Sequence, residues 1–393
     1  MLPCEAVRIY FDYNATAPAA PGVVETMTRV LSDDFGNASS VHAYGQRAKA
    51  HVDDARGEVA MLLDAEPSDL VFTSGGTESD NFAIRGAAET FEALGRRHLI
   101  ATRIEHEAVL TTLKALERRG WTVTLLPIGA DGIVAVDALE EAITDETAVV
   151  SVMHANNEVG TIQPIKALAA VARSHGAVFH TDAVQSVGKI PVSVRALDID
   201  LLSLSAHKFG GPKGVGAMWI RRGVRLTPFM TGGRQERNRR AGTENVPALA
   251  GLGVAARVAR EKLAAAITSA PLRDRLERGI LATVPGTTLN GDPKMRVPNT
   301  TNISFDGIEA ESLLIALDLE GVAVSTGSAC SSGSLEPSHV LRAMGGTHAR
   351  TRNSLRFSLG PENTAEEVDF VLGVLPGLVT RLRGLTRTAA ALR

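Results

Sequence analysis

The sequence predicts an α/β fold: a large domain with a mostly parallel mixed β-sheet flanked by helices, and a smaller α+β domain. Three observations lead to this prediction. From about residue 44 to 220, helical patterns alternate with short apolar runs. Within each run the apolar residues mostly follow one another without a break. Beyond residue 220 this alternation ends. Alternating helices and strands are typical of parallel sheets, whose strands are buried on both faces.

The large domain is predicted element by element from this alternation. Apolar residues recur at helical spacing in residues 44–63, 78–94 and 165–176. Short apolar runs bounded by polar turns predict strands at residues 69–74, 98–103, 121–126, 147–153, 176–182 and 198–205. A further apolar run follows at residues 215–220.

The second half of the chain has a different character. Residues 221–246 form a Gly- and Arg-rich connection, and an Ala-rich helix is predicted at 247–267. Fewer strands follow, at 301–305, 322–326 and 354–360, before a closing helix at 365–385. We expect a large domain at residues 15–262 and a small domain made of residues 1–14 and 263–393.

Composition excludes several classes of protein. Hydrophobic residues make up 44% and charged residues 22% of the 393 residues, as in soluble globular proteins. The net charge of −3 argues against a nucleic-acid or membrane partner, and no apolar run is long enough to cross a bilayer. The start lacks the pattern of a secretory signal. Two distant cysteines, Cys4 and Cys330, exclude a disulfide framework, so we expect a cytoplasmic protein.

Polar side chains follow five of the predicted strands, where ligands of open parallel sheets bind. These strand ends are Gly75-Gly76-Thr77, Glu105-His106, His154 to Asn157, Asp182 with Gln185, and His207-Lys208. Each has a simpler interpretation alone: a turn, a structural histidine, a helix cap or a surface lysine. Their coincidence at one edge of one sheet favours a binding site.

Three other types of ligand fit this edge less well than pyridoxal 5′-phosphate. The sequence lacks the phosphate-loop motif, the dinucleotide G-x-G-x-x-G motif and any H-E-x-x-H or Cys-His metal spacing. Pyridoxal phosphate requires a lysine for a Schiff base, an acid for its ring nitrogen and a phosphate cradle. Lys208, Asp182 and Gly76-Thr77 are residues of these three kinds.

Longer sequence motifs resemble those of one known family, and they are distributed along almost the whole chain. They are YFDYNATAP, TSGGTESDN, EHEAV, NNEVGTIQPI, FHTDAVQSVGK, LLSLSAHKFGGPKGVG, RRAGTENV, STGSACSSGS, PSHVLRAMG and SLRFSLGPENT. The chain resembles the NifS/IscS-type cysteine desulfurases of the class V aminotransferase group. That resemblance implies a homodimer of the fold-type I pyridoxal phosphate class, which removes sulfur from L-cysteine for a scaffold protein of iron–sulfur cluster assembly.

The resemblance also implies roles for individual residues. Lys208 would hold the cofactor as a Schiff base and move the substrate Cα proton, and His106 would stack on the ring and assist proton transfer. Asp182 would pair with the ring nitrogen and Gln185 with the ring hydroxyl. Phosphate ligands would be Gly76, Thr77, Ser205, His207 and, from the partner subunit, Thr243. Asn157 and Arg356 would hold the substrate carboxylate.

Cys330 distinguishes a desulfurase from an aminotransferase. A lone cysteine is more often a small buried apolar residue. The Gly/Ser-rich segment around Cys330 instead predicts an exposed nucleophile, which would carry a persulfide, and its length resembles the NifS/IscS group. We expect no stable metal site, although Cys330 could transiently bind an iron–sulfur cluster.

Departures from the family pattern are small, and alternatives remain. Gly76 stands where alanine is commoner, and Asn238 replaces a usual glycine. The ending at Arg393 favours the nitrogen-fixation branch over the longer-tailed housekeeping branch. An aminotransferase, a selenocysteine lyase and a cofactor-free assembly platform are the alternatives. Turnover of cysteine to alanine, and the colour of the protein, would distinguish them.

Overall fold

The computed structural model describes residues 9–263, 269–326 and 337–391. Within these ranges the main sheet has seven strands. They are β2 (Leu70–Thr73), β3 (His98–Thr102), β4 (Thr122–Leu126), β5 (Thr147–Ser151), β6 (Val178–Asp182), β7 (Leu201–Ser205) and β8 (Gly216–Ile220). Each strand falls on an apolar run identified in the sequence.

The main sheet is mixed and mostly parallel, as predicted. Its strand order is β2-β8-β7-β6-β5-β3-β4, and β3 to β7 run parallel to one another. Strand β8 runs antiparallel between β2 and β7. Every strand except the edge strand β4 is buried along its whole length, which explains the continuous apolar runs.

Helices cover both faces of this sheet. Along β2, Leu70 and Phe72 pack in one apolar cluster and Val71 packs in another, as the two-residue period of a strand requires. The helices of this part are α1 (Val23–Ser32), α2 (Ala43–Leu63), α3 (Gly76–Glu92), α4 (Glu107–Glu117), α5 (Val136–Ala142), α6 (Ile165–Ser174), α7 (Val194–Leu197), α8 (Gln235–Asn238) and α9 (Val246–Glu261).

A second group of elements has its own apolar core. Strands β9 (Thr287–Asn290), β10 (Thr300–Phe305) and β12 (Ser354–Ser358) form an antiparallel sheet, and β1 (Ile9–Tyr10) pairs with β11 (Val322–Ala323). The described helices here are α10 (Ser269–Thr283), α11 (Ala310–Leu319), α12 (His339–Ala343), α13 (His348–Arg352) and α14 (Ala365–Ala391).

The N-terminal segment belongs to the second core. Ile9 and Phe11 are buried in the same apolar cluster as Phe357, far along the chain. The division into domains at residues 15–262 stays a prediction. One predicted helix differs: the helix expected at 247–267 ends at Glu261. In the described ranges, no helix combines the length and apolarity needed to span a membrane.

Candidate active site

A cavity of about 310 Å³ opens at the carboxyl ends of β6 and β7. Most residues predicted from the strand ends line it. The residues around it are Asn14, Ala15, Gly76, Thr77, Asp80, His106, Met153, Asn157, Asp182, Val184, Gln185, Ser205, His207, Lys208 and Arg356. The sheet therefore brings together side chains that lie far apart in sequence.

One end of the cavity is suited to an anion. Helix α3 begins at Gly76, directly after β2, so its first N–H groups and its positive dipole end face this region. Gly75 has φ of 149°, a conformation that favours glycine. A Cβ placed on Gly75 would lie 3.7 Å from Ser205 Oγ, so the turn and this hydroxyl are neighbours. Thr77 adds a second hydroxyl to the same rim.

His207 completes this end as a neutral side chain. Its Nδ1 lies 3.2 Å from Thr16 Oγ1. Burial, together with the charges of Lys208 and Lys213, lowers the pKa of His207 to about 4. The imidazole is therefore uncharged at neutral pH, and it contributes hydrogen bonding rather than charge.

Asp182 places a carboxylate at the end of β6. The side chain is 5% exposed, and Oδ1 accepts a hydrogen bond of 2.9 Å from Val184 N. Burial raises its pKa, and the positive charge of Lys208 opposes that rise. A buried carboxylate of this kind is stabilised by a cation that enters the cavity.

Asp80, which the sequence reasoning missed, is a second carboxyl in this region. It is buried on α3, and its Oδ1 has no hydrogen-bond partner within the described residues. Burial and the charge of Asp182 raise its pKa well above the usual value. Behind it, burial lowers the pKa of His180 to about 3, so that histidine is neutral.

Lys208 lies in the turn that follows β7. The 3₁₀ segment Ala206–Lys208 directs its amine across the cavity, where Nζ donates to Asn14 O (2.7 Å) and Ala15 O (2.9 Å). These carbonyls belong to the N-terminal segment, about 190 residues away in sequence. The lysine of the sequence motif is thus held at the cavity by backbone acceptors.

His106 is positioned by the start of α4. It is the N-cap residue, and its Nδ1 accepts a hydrogen bond of 3.1 Å from Ala108 N. An accepting Nδ1 fixes the neutral tautomer with the proton on Nε2. The adjacent Glu105 is fully buried, and burial raises its pKa to about 8. The cap accordingly fixes the ring of His106 at the cavity wall.

Arg356 and Asn157 lie on the opposite wall. Arg356, on β12, is 3% exposed; it donates to Asp12 Oδ1 (2.6 Å) and to Asn157 O (2.9 Å). Its Nε has no partner within the described ranges. A guanidinium presented in this way can bind a carboxylate with its remaining N–H groups.

Asn14 and Lys189 join the site in places that the sequence reasoning did not assign. Asn14 donates to Asn157 O (3.2 Å) and to Thr300 Oγ1 (2.9 Å). Lys189 is buried and donates to Asn14 Oδ1 and Gln185 Oε1. Asn14 and Asp12 lie within YFDYNATAP and Lys189 within FHTDAVQSVGK, so the motifs held the signal although no role was drawn from it.

One predicted residue does not line this cavity in the single chain, and one other is not among the described residues. Thr243 is exposed in the connection between α8 and α9 and does not line the cavity. Cys330 lies outside the described residues. Among the described residues, no cluster of three or more His, Cys, Asp or Glu side chains could hold a metal ion.

The residues present fit pyridoxal phosphate. The anion-binding end has helix N–H groups and two hydroxyls, the middle has an amine, and β6 supplies a buried carboxylate for a ring nitrogen. The unpartnered Asp80 Oδ1 shows that polar groups at the cavity floor are not all satisfied by the protein. These groups match the phosphate, the aldehyde and the ring nitrogen of that cofactor, in that order.

Comparisons with known proteins agree with this geometry. The class-V aminotransferase family model matches residues 9–371. The chain is 49% identical over 383 residues to a cysteine desulfurase IscS of Methanosarcina thermophila, covering 97% of this chain and 94% of the relative. A cysteine desulfurase of Gluconacetobacter diazotrophicus is 48% identical over 381 residues, covering 96% of this chain and 95% of the relative.

Solved structures give the same result. A NifS-like protein superposes with a TM-score of 0.90 at 39% identity, covering 96% of this chain and all (100%) of that chain. A structure described as SspA in complex with cysteine superposes with a TM-score of 0.80 at 38% identity, covering 91% of this chain and 100% of that chain. The family predicted from the motifs is confirmed: this chain belongs to the class-V aminotransferase family.

Proposed function

We propose that this protein is a pyridoxal phosphate-dependent cysteine desulfurase that supplies sulfur for iron–sulfur cluster assembly. It converts L-cysteine to L-alanine and leaves the sulfur as a persulfide on Cys330. The observation that carries this proposal is one cavity lined by Lys208, Asp182 and the Gly76-Thr77 helix start. The near full-length relatives named cysteine desulfurase support the same reaction.

The protein's own residues manage the proton and charge at the reacting centre. Pyridoxal phosphate, when bound through Lys208, supplies an electron sink conjugated to the substrate Cα. Asp182 would pair with the ring nitrogen and keep it protonated, which favours proton loss at Cα. The amine of Lys208 would accept that proton. His106, whose Nδ1 is held by the Ala108 N–H, would assist proton transfer through Nε2.

The substrate is oriented by the opposite wall. We propose that Arg356 and Asn157 bind the carboxylate of L-cysteine. Asp12 and the Asn157 carbonyl already hold the guanidinium of Arg356 from behind, so it needs little reorganisation to bind an anion.

Sulfur transfer to Cys330 is balanced without an added oxidant. The thiolate of Cys330 attacks the substrate sulfur, an S–S bond forms and the Cβ–S bond of the substrate breaks. The electron pair of the broken bond stays with the substrate carbon skeleton, which takes up protons and leaves as L-alanine. The products are one alanine and one enzyme persulfide for each cysteine consumed.

The test compares two cysteine variants of the holoenzyme. Cys330→Ala should keep the visible absorbance of the bound cofactor and still change that spectrum on addition of cysteine, because the cofactor contacts proposed above come from other residues. Sulfide release under reductant should fall more than about a hundredfold, since no positioned nucleophile remains. Mass spectrometry of the wild-type chain after incubation with cysteine should find an added sulfur on Cys330.

Cys4→Ala is the matched control, because Cys4 is the other cysteine of the sequence. It should desulfurate cysteine at the wild-type rate. Undiminished sulfide release by Cys330→Ala would remove Cys330 from the mechanism and favour a lyase reaction.

We further propose a homodimer in which Thr243 completes the partner's phosphate site. Phe35, Val41 and Tyr44 are exposed apolar side chains, and Val41 lines one cavity of about 450 Å³ together with Glu244, the residue after Thr243. Mixing Lys208→Ala and Thr243→Ala protomers would then rebuild one native site in each mixed dimer. Cofactor affinity and activity above those of either variant alone would support this arrangement; no gain on mixing would contradict it.

The destination of the sulfur is also part of the proposal. We propose that an iron–sulfur scaffold protein accepts it from Cys330. A role in nitrogen fixation and a cytoplasmic location remain predictions from the sequence.

A further inference from the structure

Lys189 is a second buried lysine beside the cavity, and the reaction described above gives it no role. It is 7% exposed, and its Nζ donates to Asn14 Oδ1 at 2.6 Å and to Gln185 Oε1 at 2.5 Å. Both acceptors are neutral amide oxygens, and both of these residues line the cavity. Lysines are almost never fully buried unless they are paired with a partner that fixes them.

The hydrogen bond from Lys189 determines which way the amide of Gln185 faces. An amine or ammonium group donates to a side-chain oxygen, so it selects Oε1 rather than the amide nitrogen. Oε1 is thereby held on the side of Lys189. The Nε2 group faces Asn14 O, to which it donates at 3.0 Å, and its second N–H remains for the cavity. Gln185 is then oriented to donate a hydrogen bond to a ligand through Nε2.

Asn14 is held in the same way. Its Oδ1 accepts from Lys189 Nζ and from Asn299 Nδ2 (3.1 Å). Its backbone oxygen accepts from Gln185 and from Lys208 Nζ. Lys189 therefore fixes Asn14, whose backbone oxygen accepts from Lys208, and it also fixes the side-chain amide of Gln185.

The charge of Lys189 does not alter this geometry. Burial, with the charges of Lys208 and Arg356, lowers its pKa well below the usual value. A neutral amine still carries two N–H groups, one for each amide oxygen, and an ammonium carries three. Either form donates to both acceptors.

We propose that Lys189 is a positioning residue that orients the amides of Gln185 and Asn14, so that Gln185 donates to the ring hydroxyl of pyridoxal phosphate. The inference rests on the proposed function. It assigns no contact between Lys189 and the cofactor, because Lys189 acts through Gln185 and Asn14.

A double-mutant cycle tests this role. Lys189→Met keeps the apolar length of the side chain and removes both donors, while Gln185→Met removes the amide. The readouts are the dissociation constant of pyridoxal phosphate from the apoprotein and the midpoint of the pH titration of the bound cofactor's visible absorbance. Lys189→Met should weaken binding about tenfold and shift the midpoint in the same direction as Gln185→Met. The double variant should bind within about twofold of Gln185→Met.

Two outcomes of the cycle would overturn the proposal. The first is a Lys189→Met variant with wild-type affinity and midpoint. The second is a double variant whose loss of cofactor affinity equals the product of the two single-variant losses. Such independent effects would mean that Lys189 does not act through Gln185. Lys189→Gln, which keeps an N–H donor, should recover most of the cofactor affinity. If Lys189 had a purely structural role, Lys189→Gln and Lys189→Met would bind the cofactor equally weakly. Lys166→Met, on the exposed face of α6, is the control and should match the wild type.

Gln185→Glu tests the amide orientation with Lys189 left in place, should Lys189→Met not fold. The carboxylate keeps an acceptor for Lys189 but has no N–H for the ring hydroxyl, so it should bind the cofactor as weakly as Gln185→Met. Binding at wild-type strength would show that Gln185 accepts rather than donates, which overturns the inference. Failure of wild-type protein to bind pyridoxal phosphate or to form alanine would instead overturn the proposed function.

Discussion

Two walls of the cavity are built in different ways. The sheet-edge wall consists of Gly76, Asp182, Ser205 and Lys208, which lie at or shortly after the carboxyl ends of β2, β6 and β7. The cross-chain wall consists of Asn14, Asn157 and Arg356, which come from the N-terminal segment, the loop after β5 and β12. On the first wall, Asp182 bonds to a residue two positions away. On the second, Arg356 bonds to a residue 344 positions away.

Because of this difference, we expect substitutions on the two walls to affect the reaction and the stability of the protein differently. Side chains of the sheet-edge wall are placed by the ends of buried strands, and Lys208 also donates to two carbonyls of the N-terminal segment. Their removal should change the reaction more than the fold. Side chains of the cross-chain wall connect distant segments, and removal of one leaves buried partners without a hydrogen bond. Substitutions there should change substrate binding and stability together.

The largest expected effect is that of Lys208→Ala on the sheet-edge wall. Without the amine there is no covalent attachment of the cofactor and no base for the Cα proton, so alanine formation should fall more than about a thousandfold. The thermal unfolding midpoint of the apoprotein should change little. Lys213→Ala, an exposed lysine of the same loop, is the control and should retain activity within about twofold. Comparable activity of the two variants would refute the assignment of Lys208.

Asp182→Asn should have the next largest effect. Asparagine still accepts the Val184 N–H, but it has no charge to balance a protonated ring nitrogen. The turnover number should fall about a hundredfold or more, while the phosphate contacts keep cofactor affinity within about tenfold.

The control for Asp182 is Asp200→Asn, at the opposite end of the same sheet. Asp200 is also buried and accepts from Phe179 N at 2.9 Å. Its substitution should lower stability without changing the turnover number. Equal turnover numbers for the two variants would mean that the position of Asp182 at the cavity is not used in the reaction.

Arg356→Lys probes the cross-chain wall. Lysine keeps the charge but loses the planar pair of N–H groups that binds a carboxylate. The kcat/KM for cysteine should fall about 10- to 100-fold, mostly through KM, and the unfolding midpoint should fall as well because Asp12 loses its partner. Arg296→Lys is matched, since Arg296 is also buried and paired, with Glu277. It should lower stability alone; a similar KM increase in both would contradict the substrate contact.

The sheet-edge wall could be predicted from sequence because strand ends are local features. The apolar runs gave the strands, and Asp182, Gln185, His207 and Lys208 follow them directly. Their convergence follows from the geometry of any parallel sheet.

Apart from Asn157, which follows a predicted strand, the cross-chain wall could not be predicted from local pattern. Nothing near Asn14 or Lys189 in sequence indicates that they meet, since their contact depends on how the N-terminal segment crosses the sheet edge. Only the family motifs marked Arg356. Strand β9 and helix α11 were not identified either; β9 is a short edge strand with partly exposed residues, which leaves a weak apolar pattern.

The two departures from the family pattern have structural explanations. Asn238 has φ of 64°, the left-handed region where asparagine is the best substitute for glycine. A Cβ on Gly76 would lie 2.8 Å from Val184 Cγ2, so glycine at this position accommodates that valine.

The smallest effect is expected for Glu105, which lies beneath the sheet-edge wall and takes no part in the reaction. Its Oε1 accepts from Thr102 Oγ1 at 2.5 Å, and both carboxyl oxygens lie within 3.1 Å of Met153 N. Burial raises its pKa from 4.5 in the unfolded chain to about 8 in the folded protein. Between these values the unfolded chain has lost the proton and the folded protein keeps it. This group therefore lowers stability as pH rises from about 4.5 to 8 and has a constant effect above that.

Glu105→Gln removes this titration, so the pH dependence of its stability should differ from that of the wild type. The free energy of unfolding of the variant relative to the wild type should rise by up to about 1.4 kcal/mol per pH unit over that range. Urea unfolding at pH 5, 6.5 and 8 measures the difference, in which the contributions of all other groups cancel. Glu107→Gln, an exposed neighbour on α4, should give curves parallel to the wild type. Parallel curves for Glu105→Gln as well would mean that Glu105 is ionised in the folded protein, with its charge held by the Thr102 hydroxyl and the Met153 N–H.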